Sequence, residues 1–134
     1  MKDYSSKDIR NFAIVCHGGS GKTMLSEARL SKSGEINRLG TIEGGSTASD
    51  YHHAEHERQI SIHSSPLHLE WDNTKFNLID TPGYLDFIGE TISSLAVVDA
   101  AIVVIHAVNG IEVGTEQVWN YASNYGLPKV LVVN

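Results

Sequence analysis

The sequence predicts an α/β fold, a three-layer sandwich around a mostly parallel sheet with one antiparallel strand. Three observations carry that expectation. Short apolar runs alternate with segments of helical periodicity, the pattern of repeated β–α–β units. A glycine cluster, Gly18-Gly19-Ser20-Gly21, joins the first apolar run directly to the first helical segment. Two later strand-like runs are separated by a short turn at Asp72-Asn73, too close together for a parallel connection.

The elements follow in order. Residues 12–16 (Phe-Ala-Ile-Val-Cys) are continuously apolar and read as a buried strand. Residues 22–33 read as a helix with Leu25, Ala28 and Leu30 on its apolar face. Residues 34–63 are polar and aperiodic, too long for an ordinary connection, and are expected to form a functional loop. Residues 66–71 and 75–79 form the predicted hairpin. Residues 84–98 show helical spacing through Phe87, Ile88, Ile92 and Leu95. Residues 100–107 read as a strand, with His106 a hydrogen-bonded core histidine. Residues 112–125 read as a helix containing Val118 and Tyr121, ended by Gly126-Leu127-Pro128. Residues 129–133 read as another buried strand. Such a strand needs a covering helix, and only Asn134 remains, so residues 1–134 are expected to be part of a larger protein.

Composition narrows the function classes. The chain has 134 residues, enough for one domain, and its 41% hydrophobic and 19% charged content excludes a disordered chain. No apolar run approaches the ~18 residues of a membrane span, so no membrane contact is expected. The polar start, Met1-Lys2-Asp3-Tyr4-Ser5-Ser6, holds no apolar core for a signal peptide. The single cysteine, Cys16, excludes a disulfide framework and suits a reducing, cytoplasmic setting; it is expected to be buried and inert. A net charge of -6 disfavours direct nucleic-acid binding by this segment.

Two motifs carry chemistry. His17-Gly18-Gly19-Ser20-Gly21-Lys22-Thr23 matches the phosphate-binding loop G-x-x-x-x-G-K-[ST], except that Cys16 stands at its first glycine. Glycines let backbone N–H groups turn toward phosphate oxygens, Lys22 reaches the β- and γ-phosphates, and the Thr23 hydroxyl suits Mg²⁺. Asp80-Thr81-Pro82-Gly83 follows the strand of residues 75–79, where a carboxylate beside a phosphate loop holds Mg²⁺. Gly83, lacking a side chain, can bring its N–H close to a γ-phosphate. His52 and His56, four apart, could share a helix face and bind a metal, but a solvated stretch of loop is the stronger reading. Trp71 and Trp119 are expected to be packing residues.

Together these motifs resemble the GTP-binding domain of translational GTPases, above all elongation factor G and its paralogues. Residues 16–23 are similar to that family's A-H-x-D-x-G-K-T loop. Ser49-Asp50 through Arg58-Gln59-Ile60-Ser61-Ile62 is similar to its first switch, with a core of R-G-I-T-I. Residues 80–87 (Asp-Thr-Pro-Gly-Tyr-Leu-Asp-Phe) are similar to D-T-P-G-H-x-D-F of the second switch, and residues 131–134 to the run into N-K-x-D.

The resemblance implies that His17 to Thr23, Asp80 to Tyr84 and Asn134 bind nucleotide, and that Thr23, Ser61 and Asp80 serve Mg²⁺. Gly83 would sense the γ-phosphate and Asn134 open the guanine-reading element, whose aspartate would lie three residues further on. Lys22 and Tyr84 would act in catalysis. GTP is the implied substrate, GDP the product, and the ribosome the partner of the full-length protein. The implied role is Mg²⁺-dependent GTP hydrolysis driving a translocation-type conformational change in elongation. The alternatives are a slow-hydrolysing GTP-binding regulatory factor or a ribosomal-protection factor; Asn134 disfavours a generic ATPase. The isolated chain is expected to be inactive and to bind guanine nucleotide poorly. Residues 34–63 are expected to depend on nucleotide for their order.

Departures from the family pattern concentrate near the reacting atoms. Tyr84 replaces a histidine, and a phenol with a pKa near ~10 cannot carry imidazolium charge. Gly18 replaces an apolar residue, Gly19 an aspartate, Gln59 a glycine, Ser61 a threonine and Met24 a hydroxyl residue.

Overall fold

The computed structural model describes residues 2–134. Five strands, β1 (Ile9–Val15), β2 (Ser65–Trp71), β3 (Thr74–Asp80), β4 (Ala100–Ile105) and β5 (Lys129–Val133), form one sheet in the order β2-β3-β1-β4-β5. Only β2 and β3 pair antiparallel; β1 is parallel to both β3 and β4, and β4 to β5. The hairpin turn holds Asp72 and Asn73 at φ 48° and 57°. Two successive left-handed residues are what the right-handed twist of a two-residue hairpin demands, and Asp and Asn tolerate them best.

Alternation along β1 divides its side chains between two faces. Ile14, with Cys16, Leu78 and Val104, packs under α1 (Lys22–Ser33) through Leu25. Ala13 and Val15, with Ala101 and Val103, pack against Leu95 of α3 (Ile88–Leu95) and Val118 and Ala122 of α4 (Val113–Asn124). Helices therefore cover both faces, and the three-layer expectation holds.

Several elements differ in detail from the sequence reading. β1 starts at Ile9, because polar Asn11 finds partners there: its amide group bonds the Asp99 carboxylate at 2.9 Å and accepts from Asn77 at 2.8 Å. On α1 the inward face carries Glu27, while Ala28 is exposed. The helix expected over residues 84–98 is interrupted. Tyr84 is extended (φ −86°, ψ 140°), Leu85–Phe87 form a 3-10 turn, and α3 begins only at Ile88. His106 lies past the end of β4, partly exposed, and is not a core residue. Its Nδ1 accepts from the Val108 and Asn109 amides at 3.1 and 3.2 Å and so caps a turn. β5 is an edge strand with Val130, Leu131 and Val133 exposed. Trp71 and Trp119 are likewise largely exposed; Trp119 lies beneath the Lys129 ammonium, 5.0 Å from its ring centre.

The long loop contains one short helix, α2 (His53–Arg58). Two buried glutamates hold it. Glu27 accepts from the backbone amides of Gly40, at 2.9 Å, and Ala48. Glu55 accepts from His52, Ile62 and His63 at 3.1, 2.9 and 3.0 Å. Just beyond, the Ser64 amide donates to the Glu90 carboxylate at 2.8 Å, and Ser94 donates to the Ser64 hydroxyl at 2.9 Å, joining the end of the loop to α3.

Candidate nucleotide-binding site

The C-terminal end of the sheet positions the site. β1 stops at Val15, Gly19 and Gly21 turn the chain at φ 80° and 87°, and α1 starts at Lys22. Both glycines occupy left-handed backbone that a side chain would strain. A Cβ on Gly21 would also collide with the Asn134 amide, which donates to the Ser20 carbonyl at 3.1 Å. Asn134 is thus seated on the phosphate-loop backbone. His17 packs on α4, where its Nδ1 would lie 2.6 Å from a Cβ built on Gly114.

Lys22 is buried at the mouth of this loop. Its Nζ donates to the carbonyls of His17, at 2.9 Å, and Cys16, at 3.3 Å. Burial lowers its pKa, and the Asp80 charge pulls the other way. Asp80 ends β3, beside Ile14, and is 2% exposed. Neither carboxylate oxygen has a hydrogen-bond partner among the described residues. Burial pushes its pKa up to about 6, against the Lys22 charge; the Ser49 and Thr23 hydroxyls lie close enough to favour the ionised form. The Thr23 and Ser61 hydroxyls are 3.2 Å apart, bringing the glycine-rich loop and the end of the long loop together. A buried, unpartnered carboxylate with two hydroxyls nearby is a hard-oxygen donor set that fits Mg²⁺. Asp50, which sequence reasoning treated only as the start of a switch, is also buried here; burial raises its pKa and the Ser61 hydrogen bond opposes it.

These parts enclose a cavity of about 120 Å³ lined by Gly18, Gly19, Gly21, Lys22, Thr23, Ile42, Asp50, Gln59, Ile60, Ser61, Gly83 and Tyr84. Larger cavities of about 360 and 560 Å³, both apolar, lie away from the chemistry along α4–β5 and beside α1, as does a polar one of about 400 Å³ beside the Asp72-Asn73 turn. Gly83 sits so close to Gly18 and the Lys22 ammonium that any side chain there would displace them. The Tyr84 ring covers Gly18, where a Cβ would lie 3.0 Å from two ring carbons. Thr81 and Pro82 brace the site instead of lining it: Thr81 donates to the Ile14 carbonyl at 2.7 Å, and the Pro82 carbonyl accepts from Thr91 at 3.2 Å. Ser20 is buried, and its hydroxyl has no partner among the described residues. Gln59 lines the cavity at φ 55°, a conformation not legible from its residue type.

The histidines of the loop form no metal site. The His56 ring contacts the Asp50 carbonyl at 2.6 Å, His52 lies tilted against Tyr51 and edge-on to His63, and no group of three His, Cys, Asp or Glu side chains suited to a metal occurs among the described residues. Cys16 is buried as expected, with its sulfur 3.3 Å from the Thr115 hydroxyl. No helix among the described residues is long and apolar enough to cross a membrane.

Known proteins share this arrangement. Ribosome-releasing factor 2, mitochondrial, of Candida dubliniensis is 45% identical over 134 residues, covering 100% of this chain and 17% of that protein. The protein of the same name from Yarrowia lipolytica is 44% identical over 130 residues, 97% of this chain and 16% of its own length. The chain therefore spans only a small part of the curated relatives it matches. A crystal structure of a protein from Thermus thermophilus superposes with a TM-score of 0.92 at 41% identity, covering 93% of this chain and 19% of that one. A bacterial selenocysteine-specific elongation factor, EF-Sec, shares the fold at TM-score 0.72 and 24% identity, over 92% of this chain and 19% of that one. Residues 7–134 match the family profile described as the elongation factor Tu GTP binding domain. With this profile matched over residues 7–134 and the sheet in place, the chain belongs to that family, the translational GTPases.

Proposed function

We propose that residues 1–134 are the N-terminal portion of the GTP-binding domain of a larger ribosome-coupled factor that hydrolyses GTP to GDP and phosphate. The observation that carries this reading is the unpartnered Asp80 carboxylate, buried near Lys22 and Thr23 at the end of β3. Thr23, Ser61 and Asp80 would hold Mg²⁺, which when bound would supply positive charge against that of the nucleotide phosphates. The loop amides of residues 18–23 and the Lys22 ammonium bind phosphate oxygens, and the Gly83 N–H faces the terminal phosphate. Water attacks the γ-phosphorus as its bond to the GDP oxygen breaks; the Tyr84 phenol holds that water by a hydrogen bond. Asn134, seated on the Ser20 carbonyl, opens the guanine-reading element.

The relatives' name favours ribosome release over translocation as the step being driven, and a mitochondrial setting over the cytoplasmic one expected from the sequence. A second reading, slow hydrolysis with GTP acting as a conformational timer, is favoured by one observation: the residue after Gly83 is a tyrosine whose ring packs on Gly18. The test is hydrolysis by the full-length protein with GTP or ATP, with and without ribosomes. GTP-selective, ribosome-stimulated turnover that disappears in Lys22→Ala and on Mg²⁺ chelation is expected. Equal use of ATP, or turnover unaffected by Lys22→Ala, would overturn the proposal.

A further inference from the structure

Gln59 is the C-cap of α2 and lines the cavity in the left-handed conformation that often ends a helix. It stands at φ 55°, ψ 36°, directly after α2, in backbone that glycine adopts freely and a glutamine does not. It lines the same cavity as Lys22, Ser61, Gly83 and Tyr84. Gln59 is exposed and its carboxamide makes no hydrogen bond among the described residues, while three and four residues on the Ile62 and His63 amides donate to Glu55. A left-handed non-glycine residue at the cavity, with an unbonded donor and acceptor, is a pattern associated with function. A carboxamide can donate to a phosphate oxygen and accept from a water at once, the two contacts that the end of a triphosphate offers.

We propose that Gln59 is a ligand-contacting residue of this site, its carboxamide hydrogen-bonding the terminal phosphoryl group of a bound nucleoside triphosphate. The inference rests on the nucleotide-binding reading above and deepens it: Gln59 makes the site sense the third phosphate. A diphosphate gives the side chain nothing to hold.

The experiment compares wild type, Gln59→Gly and Gln59→Asn in the full-length protein. Binding of GDP and of a non-hydrolysable GTP analogue is measured by fluorescence titration, and thermal midpoints are recorded alongside. Expected for Gln59→Gly is about five-fold weaker binding of the triphosphate analogue, the loss of one net hydrogen bond, with GDP affinity unchanged and the midpoint raised. Gln59→Asn tolerates the backbone but shortens the arm, and is expected to show the same selective loss. Unchanged analogue affinity in Gln59→Gly, or equal weakening of both nucleotides, overturns the proposal and leaves the nucleotide site standing. Wild-type protein that binds neither nucleotide overturns the nucleotide reading and this inference with it.

Discussion

At Gln59 the left-handed backbone carries a cost that can be measured. Replacing it by glycine is expected to stabilise the folded chain by about 1 kcal/mol in chemical denaturation; a lower midpoint would show that the conformation is unstrained. Asp80 makes a second prediction, with a definite sign. Its folded pKa, about 6, lies above the ordinary 3.8, so between those values the folded state binds more protons than the unfolded one. Without nucleotide and metal, stability therefore falls as pH rises from about 4 to 6, and the cost is fully present above that window. Asp80→Asn is expected to flatten the pH dependence and add up to about 3 kcal/mol at pH 7; an unchanged urea midpoint across that pH range in the wild type would contradict it. Tyr84 makes a third. Electrostatic stabilisation by a positioned group is worth ~10²–10³-fold, so Tyr84→His is expected to raise ribosome-stimulated hydrolysis and Tyr84→Phe to lower it. Unchanged single-turnover hydrolysis in Tyr84→Phe would remove the phenol from the mechanism.

Among the elements, those legible in the sequence were the ones with a local signal. Residues 22–33 became α1 with the expected bounds, and Asp72-Asn73 became the hairpin turn, because turn chemistry and helix periodicity act over a few residues. The phosphate loop was legible for the same reason. What escaped depends on contacts between distant residues. Nothing near Glu27 or Glu55 in the sequence announces that their carboxylates collect backbone amides from residues 40 and 48 or 52, 62 and 63. The helix read from residue 84 failed at its start because periodicity registers side-chain spacing, not the extended backbone that carries Tyr84 over Gly18. The apolar run of β5 read as a buried strand, while the lack of a following helix pointed to the uncovered apolar surface that is found. The glutamate ties predict that Glu55→Ala, which leaves three backbone amides without their acceptor, costs about 2–4 kcal/mol. Limited proteolysis should then cut within residues 52–64 well before wild type; equal resistance would mean that the loop is held by something else.

For the molecule as a whole, the exposed apolar edge sets behaviour in solution. Val130, Leu131 and Val133 lie on an edge strand with unpaired backbone groups, and Ile111 and Trp119 extend the apolar surface beside it. Such edges pair with one another. The 134-residue chain is expected to self-associate in sedimentation at micromolar concentration, and Leu131→Lys to shift it toward monomer; a monomeric wild type would dispose of this expectation. The Ser64 junction has a different consequence. Ser61 meets the phosphate loop at Thr23, and three residues later Ser64 is fastened to Glu90 and Ser94, on the helix that follows Gly83 and Tyr84. The two arms around the cavity thus share a rivet, and neither can swing away without dragging the other. Loosening of either arm would then appear as one concerted click and a single relaxation time, rather than as two latches opening in turn.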